Sequence, residues 1–222
     1  MFKKLRVLAY YSFLPWSKRI FISFRLLSCP FLELIDYIPQ KGSLLDVGTG
    51  FGLLPLLLTK TKHKQQIMGI DPDINRIKCA KKASQAFPNL QFKSGIIHQL
   101  KINKKFSSIT IIDVLYLLPK LQKQKMIQST RNLLKSNGQL LLKINDRSFS
   151  LSFFLTWLQE KITIHLLGET TTSFPDVYFE NVVEVKKMLR NNGFKVKKTV
   201  RLRTPFPFFH QHWLVIGEKK HQ

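Results

Sequence analysis

Apolar and polar positions alternate in blocks along the middle of the chain. The stretch GSLLDVG (42–48) is apolar until it stops at glycine, which predicts a short buried strand. LLPLLLTKTK (53–62) follows as a helix, with Pro55 admissible only inside the first turn, where its missing N–H has no partner to lose. QQIMGIDPD (65–73) predicts a second strand. Over 74–87, Ile74, Ile77, Ala80, Ala83 and Phe87 recur at helical spacing, and NLQFKSG (89–95) reads as a third strand. SSITIIDVLYLLP (107–119) carries a fourth, β-branched up to Asp113. KLQKQKMIQSTRNLLKSNG (120–138) is an amphipathic helix closed by Asn137-Gly138, and QLLLKIN (139–145) is strand five.

Strands buried on both faces read as continuous apolar runs, and alternation with helices places them in a parallel sheet covered on both sides. After residue 146 the rhythm changes. SFSLSFFLTWLQEKITIHLLGE (148–169) is aromatic-rich and helix-like, and NVVEVKKMLRNNGF (181–194) is a helix ending at Gly193. Two strands close the chain at 195–202 and 212–219, and the loop between them is too short for a parallel crossover, so they are antiparallel. The expectation is an α/β, doubly wound, seven-stranded sheet: five parallel strands, then an antiparallel pair, with helices on both faces. Residues 31–222 form the domain, 1–30 a basic aromatic helical extension, and 148–175 a helical insertion or lid. No repeat, low-complexity tract or linker marks a second domain.

Composition adds one strong feature. The 222 residues contain 36 basic and 13 acidic side chains, a formal charge of +23. Such a balance favours anionic partners, nucleic acid or phospholipid headgroups; an equal alternative is a general bias toward lysine, since lysine is spread over the whole chain. Cys29 and Cys79 form neither a disulfide framework nor a metal spacing, which fits a reducing, cytoplasmic setting, and no metal is expected. The N-terminal stretch is basic and then apolar, but Pro15 and Trp16 interrupt it, Lys18 and Arg19 follow, and no small-residue cleavage site appears. It reads as short helices lying on the protein's own core, the preferred reading, or on a membrane surface.

The chemistry gathers at DVGTGFG. Gly48, Gly50 and Gly52 allow a tight turn and close approach of a ligand. The spacing is neither G-x-G-x-x-G nor a P-loop, for which no Gly-Lys-Ser/Thr follows. With no lysine in the loop and Asp46 before it, a cationic or amine-bearing ligand fits better than a phosphate. Between residues 37 and 145 there are 18 basic residues and four acidic ones, Asp46, Asp71, Asp73 and Asp113, all at the ends of strands one, two and four. Asp71 lies 23 residues after Gly48, near the spacing of an acid that takes ribose hydroxyls. Asp73 reads first as a helix cap.

LLDVGTGFG, GIDPD, SSITIIDVLYLLP and LLKSNGQLLLKI resemble, in order and spacing, the successive motifs of class I S-adenosylmethionine-dependent methyltransferases over residues 30–145. The late helix and hairpin are similar to that family's closing elements. The resemblance implies a Rossmann-like fold with S-adenosylmethionine as cofactor. Gly48, Thr49, Gly50 and Gly52 would pass under it, Asp46 would hold its amino-acid end, and Asp71 its ribose, flanked by Ile70 and Pro72. Asp113 would sit near the methionine end and the reacting methyl. One departure stands out: the family's acid after strand three is replaced by Ile96, which leaves adenine to backbone and apolar contacts around Gly95 and Ile96. DVLYLLP together with PFPFFHQHWL is similar to bacterial members thought to act on small or lipid-like acceptors.

Methyl transfer from a sulfonium is an in-line displacement, in which the protein mainly aligns the reactants and a base serves only if the acceptor must lose a proton. Asp113, Tyr116, Asp146 and His212 are the candidate bases, with Asp146 preferred. Tyr116 reads first as a packing aromatic that lines the pocket and His212 first as structural, while Asp146 reads alternatively as a turn cap. The Asn-Pro-Pro-aromatic signature of amino-group methylation is absent, since strand four ends DVLY. Phe149, Phe153, Phe154 and Trp157 fall where a substrate lid would sit, and read at least equally as the apolar face of an amphipathic core helix. The expected acceptor is a small hydrophobic or lipid-like molecule rather than nucleic acid, with peripheral contact at an anionic membrane. An RNA methyltransferase that uses the basic charge, and a non-catalytic protein with the cofactor fold, are the alternatives.

Overall fold

In a computed structural model, residues 6–61, 63–145, 178, 180–203 and 211–220 are described. The strands are β1 (Ser43–Val47), β2 (Gln66–Asp71), β3 (Leu90–Ser94), β4 (Phe106–Ile112), β5 (Leu134–Asn145), β6 (Phe194–Leu202) and β7 (His212–Lys219). They form one seven-stranded sheet in the order β3-β2-β1-β4-β5-β7-β6. The helices are α1 (Trp16–Ser28), α2 (Phe31–Ile35), α3 (Leu53–Leu58), α4 (Ile74–Ala83), α5 (Lys120–Leu133) and α6 (Val182–Asn191).

From β1 the chain builds outward through β2 to β3, then returns to place β4 on the other side of β1. The switch in direction opens a crevice beyond the carboxyl ends of β1 and β4, where open α/β sheets hold their ligands. The first five strands pair in parallel, as expected. The closing strands do pair antiparallel, but β7 inserts between β5 and β6 and runs antiparallel to both.

The continuous apolar runs now have a reason. Along β1, Leu44 belongs to the apolar layer on one face and Leu45 and Val47 to the layer on the other; along β5, Leu141 faces the first and Leu140 and Leu142 the second. A strand covered on both faces needs apolar residues at every position. The N-terminal segment joins the first layer through Val7, Tyr11, Ile22 and Leu26, and the Tyr11 hydroxyl donates to the Phe51 carbonyl at 2.7 Å. Residues 148–175, expected as a lid, lie outside the described residues.

Several element ends differ from the sequence reading. α5 stops at Leu133, not at Gly138, because Leu134 already pairs with Phe106; the chain then makes an excursion, with Asn137 at φ 58°, before Gln139 rejoins the ladder opposite Ser108. α3 stops at Leu58, where the Thr59 and Thr61 hydroxyls donate to the carbonyls of Leu56 and Leu58. α4 stops at Ala83, and β4 at Ile112 ahead of a single 3-10 turn (Leu115–Leu117). Asp73 caps α4 as read, accepting from the N–H groups of Asn75 and Arg76 at 2.8 and 3.1 Å.

Candidate functional site

The loop after β1 is held by β2. The N–H groups of Gly48 and Thr49 both donate to the Ile70 carbonyl, at 2.8 and 3.0 Å. The Asp71 carboxylate accepts from Gly50 N–H at 2.9 Å and from Asp73 N–H at 3.0 Å, while Gly95 N–H donates to the Asp71 carbonyl at 2.9 Å. The ends of β1, β2 and β3 are thereby tied together through one acid.

The three loop glycines have different duties. Gly48 and Gly50 have φ of 73° and 55°, in the left-handed region. A Cβ on Gly48 would lie 2.3 Å from Val114 Cγ2, so this glycine lets the next strand's loop approach. A Cβ on Gly50 would meet nothing within 4 Å and would point into open space. Gly52, expected beneath the cofactor, does not line the cavity. A Cβ there would press on Phe92 and Ala80 at 3.0–3.1 Å, so it serves the packing of a helix against the sheet.

A cavity of about 430 Å³ opens over this loop. On the β1–β2–β3 side its wall includes Asp46, Gly48, Thr49, Gly50, Asp71 and Pro72, with Gly95 and Ile96 beyond them. On the β4–β5–β7 side it includes Asp113, Tyr116, Lys143, Asn145 and His212. Phe21, Phe24 and Arg25 of α1 also line it.

Charge differs between the two sides. Asp46 is buried, and loss of water pushes its carboxyl up to about 6; a 2.7 Å bond from the Thr110 hydroxyl opposes that, and the nearby Asp71 charge adds to it. Burial also raises Asp71, against the pull of its two backbone donors. Asp113 goes the other way. Burial alone would raise it, but Lys143 and Arg25 hold its carboxyl well below the usual range. Lys143 Nζ donates to Asp113 Oδ1 and, at 2.7 Å, to Asn145 Oδ1; Arg25 Nη2 lies 2.8 Å from Asp113 Oδ2. His212 faces Asn145 across the β5–β7 ladder, and its protonated form would further favour the Asp113 carboxylate.

The sequence-predicted residues therefore meet on one cavity, apart from Gly52, which packs beneath the helix, and Asp146, which lies outside the described residues. Asp113 reaches the wall, but its carboxylate is taken up by Lys143 and Arg25 rather than left open to a ligand. Arg25, Lys143 and Asn145 were not foreseen. Lysine inside LLLKIN was the available signal, since a cation in a doubly buried strand requires a partner; nothing local marks Arg25. Among the described residues, no group of three or more His, Cys, Asp or Glu is placed to hold a metal ion.

The lining offers the carboxylates of Asp46 and Asp71 as acceptors for an amine or for hydroxyls, the glycine loop carries no cation, and the space over Gly50 is clear.

Comparison with known proteins agrees with the fold. Residues 39–200 match the family model described as a methyltransferase domain. A protein named as a methyltransferase, 235L of Invertebrate iridescent virus 6, is 28% identical over 113 residues, which cover 50% of this chain and 40% of that one. Among solved structures, the pyocyanin biosynthetic protein PhzM superposes with a TM-score of 0.69 at 15% identity, over 92% of this chain and 58% of that one. The 1,6-didemethyltoxoflavin-N1-methyltransferase of Burkholderia thailandensis, solved with 1,6-didemethyltoxoflavin and S-adenosylhomocysteine, gives 0.66 at 12% identity, over 86% and 77%. The chain thus spans less than two thirds of the viral relative and of PhzM.

Proposed function

We infer, on the premise that this chain belongs to the methyltransferase domain family, that it transfers a methyl group from S-adenosylmethionine to a small, largely apolar acceptor. One observation carries this reading. A single cavity is lined both by the glycine loop with its two carboxylates and by Phe21, Phe24, Tyr116, Leu117 and Leu118, and we assign the latter part to the acceptor. When bound, the cofactor supplies an activated methyl, so the protein's own task is to hold, align and exclude water.

Asp46 is ionised at neutral pH and suits an ammonium group. Asp71 uses one acceptor site on each oxygen for the loop and keeps others for hydroxyls. Pro72, Gly95 and Ile96 offer apolar and backbone contacts to a base. In the acceptor part Asp113 is a poor proton acceptor, because its carboxylate is held in the ionised form by Lys143 and Arg25. His212 is the better placed base for an acceptor bearing O–H or N–H, with Tyr116 shaping the wall. The aromatic lining of that part favours a hydrophobic or lipid-like acceptor over a nucleic acid. The Burkholderia neighbour, with its small acceptor bound, is in keeping with this.

Calorimetry with S-adenosylmethionine and S-adenosylhomocysteine tests the reading. Wild-type protein binds both, and Asp71→Ala loses most of the affinity. Failure of the wild-type protein to bind either would overturn it.

A further inference from the structure

α1 is apolar on two sides. Ile22 and Leu26 enter the core, at 0% and 2% exposure. Trp16, Ile20 and Phe24, spaced four residues apart, line up with Leu27 on the outer side, at 75, 58, 48 and 48% exposure, and Phe13 in the preceding turn is 36% exposed. Lone exposed apolar residues are ordinary, but five large ones gathered on one helix and its lead-in form a patch that needs a partner.

The charge around the patch has one sign. The first 32 residues hold six basic side chains and no acidic one. Arg19 is exposed on the same helix, Arg6 is exposed ten residues ahead of Trp16, and Lys82 sits 4.4 Å from the centre of the Phe13 ring. Glu33 and Asp36, the first acids in the chain, come after α1, and Glu33 accepts from the Arg203 backbone. Phe24 belongs both to the patch and to the cavity wall, so the patch reaches the part of the cavity assigned to the acceptor.

We propose that α1 is an interfacial docking helix that seats the protein on an anionic lipid surface. Trp16, Ile20, Leu27 and Phe13 enter the upper acyl region, and Arg6, Arg19 and Lys82 contact headgroups. The charge selects this occupant. A second copy would bring two basic patches face to face, and a nucleic acid would leave the apolar stripe in water. Among the described residues no helix is long and apolar enough to cross a membrane, which is consistent with a helix lying in the surface plane. The docking stands apart from methyl transfer, and its failure would leave that reading untouched.

The test is vesicle flotation of the full chain, with phosphatidylcholine alone and with phosphatidylglycerol mixed in. Wild-type protein floats with the anionic vesicles, far less with the neutral ones, and part of the binding survives ~0.5 M salt, where surface charge is strongly screened. Trp16→Ser with Ile20→Ser lowers the bound fraction at least about tenfold, from the lost apolar burial. Cofactor binding is retained in this variant, since neither side chain lines the cavity, and retention also reports that the fold is intact. Arg19→Glu weakens binding to anionic vesicles alone. Three results would overturn the proposal: no flotation of wild-type protein; equal flotation of the double variant, which would mean bulk lysine adhesion; or a wild-type dimer by sedimentation that the double variant makes monomeric.

Discussion

Lys143, on β5, donates to the carboxylate of Asp113 at the end of β4, and both side chains are sealed from solvent, at 1% and 0% exposure. Two charges taken out of water are tolerated only when geometry and further hydrogen bonds compensate. Asn145 Oδ1 accepts a hydrogen bond from Lys143, and the Arg25 guanidinium adds a second positive charge 2.8 Å from Asp113 Oδ2. Asp113 also carries φ 55°, a backbone conformation that residues other than glycine adopt where their surroundings enforce it. The pair, with Arg25, joins β4, β5 and α1 at the wall of the cavity, so the same contacts that stabilise the sheet shape that wall.

Removing one partner leaves the other charge buried. Lys143→Met is expected to cost about 3–5 kcal/mol in urea denaturation. Adding Asp113→Asn, which suits the left-handed backbone, should restore much of that loss. A double variant as unstable as the single one would mean that lost packing, not the stranded charge, sets the cost.

The glycine loop separates binding from stability. Gly50→Ala puts a methyl into empty cavity space, so it should lower cofactor affinity at least about tenfold with only ~1–2 kcal/mol of backbone strain. Gly52→Ala carries similar strain and also presses on Phe92 and Ala80, so it should lose more stability. Affinity of the folded Gly52→Ala protein should remain near wild type. Parallel calorimetry and denaturation would distinguish the two, and the opposite ranking would reverse their assigned roles.

Asp46 links stability to pH. Its carboxyl titrates at about 6 in the folded chain, above the ordinary 3.8, so the fold prefers the neutral acid. The associated stability is complete below the unfolded value and is lost as pH rises through the folded one, about 3 kcal/mol in all. Asp46→Asn should therefore be more stable than wild type at about pH 7.5 and indistinguishable at about pH 4, by denaturant midpoint. In the proposed role, cofactor affinity of the wild-type protein rises between about pH 5 and about pH 7, and uptake near the lower end releases protons. Affinity that is flat over this range would remove Asp46 from the amine site.

Much of the architecture was legible in the sequence because it is encoded locally. A doubly covered strand must be apolar at each position, and a helix must repeat its apolar face, so LLDV, QIMGID and SITII declared themselves. Asp46 and Asp71 stood out because so few acids occur there and both close an apolar run. Element ends were less legible. Leu134 leaves α5 for the sheet because Phe106 is available to pair with it, and that partner lies far away in the chain.

The sequence by itself determined the order of strands and helices, the glycine loop after β1 and the two acids at the ends of β1 and β2, since each depends on neighbours within a few residues. Only the tertiary structure decided which charges meet. Arg25, Asp113, Lys143 and His212 come from four separate segments, and no spacing rule relates them. It also decided that β7 lies between β5 and β6, that Gly52 packs a helix, and that α1 buries one apolar side while exposing another. Periodicity reports how many faces of an element avoid water. What covers each face is a matter of long-range packing.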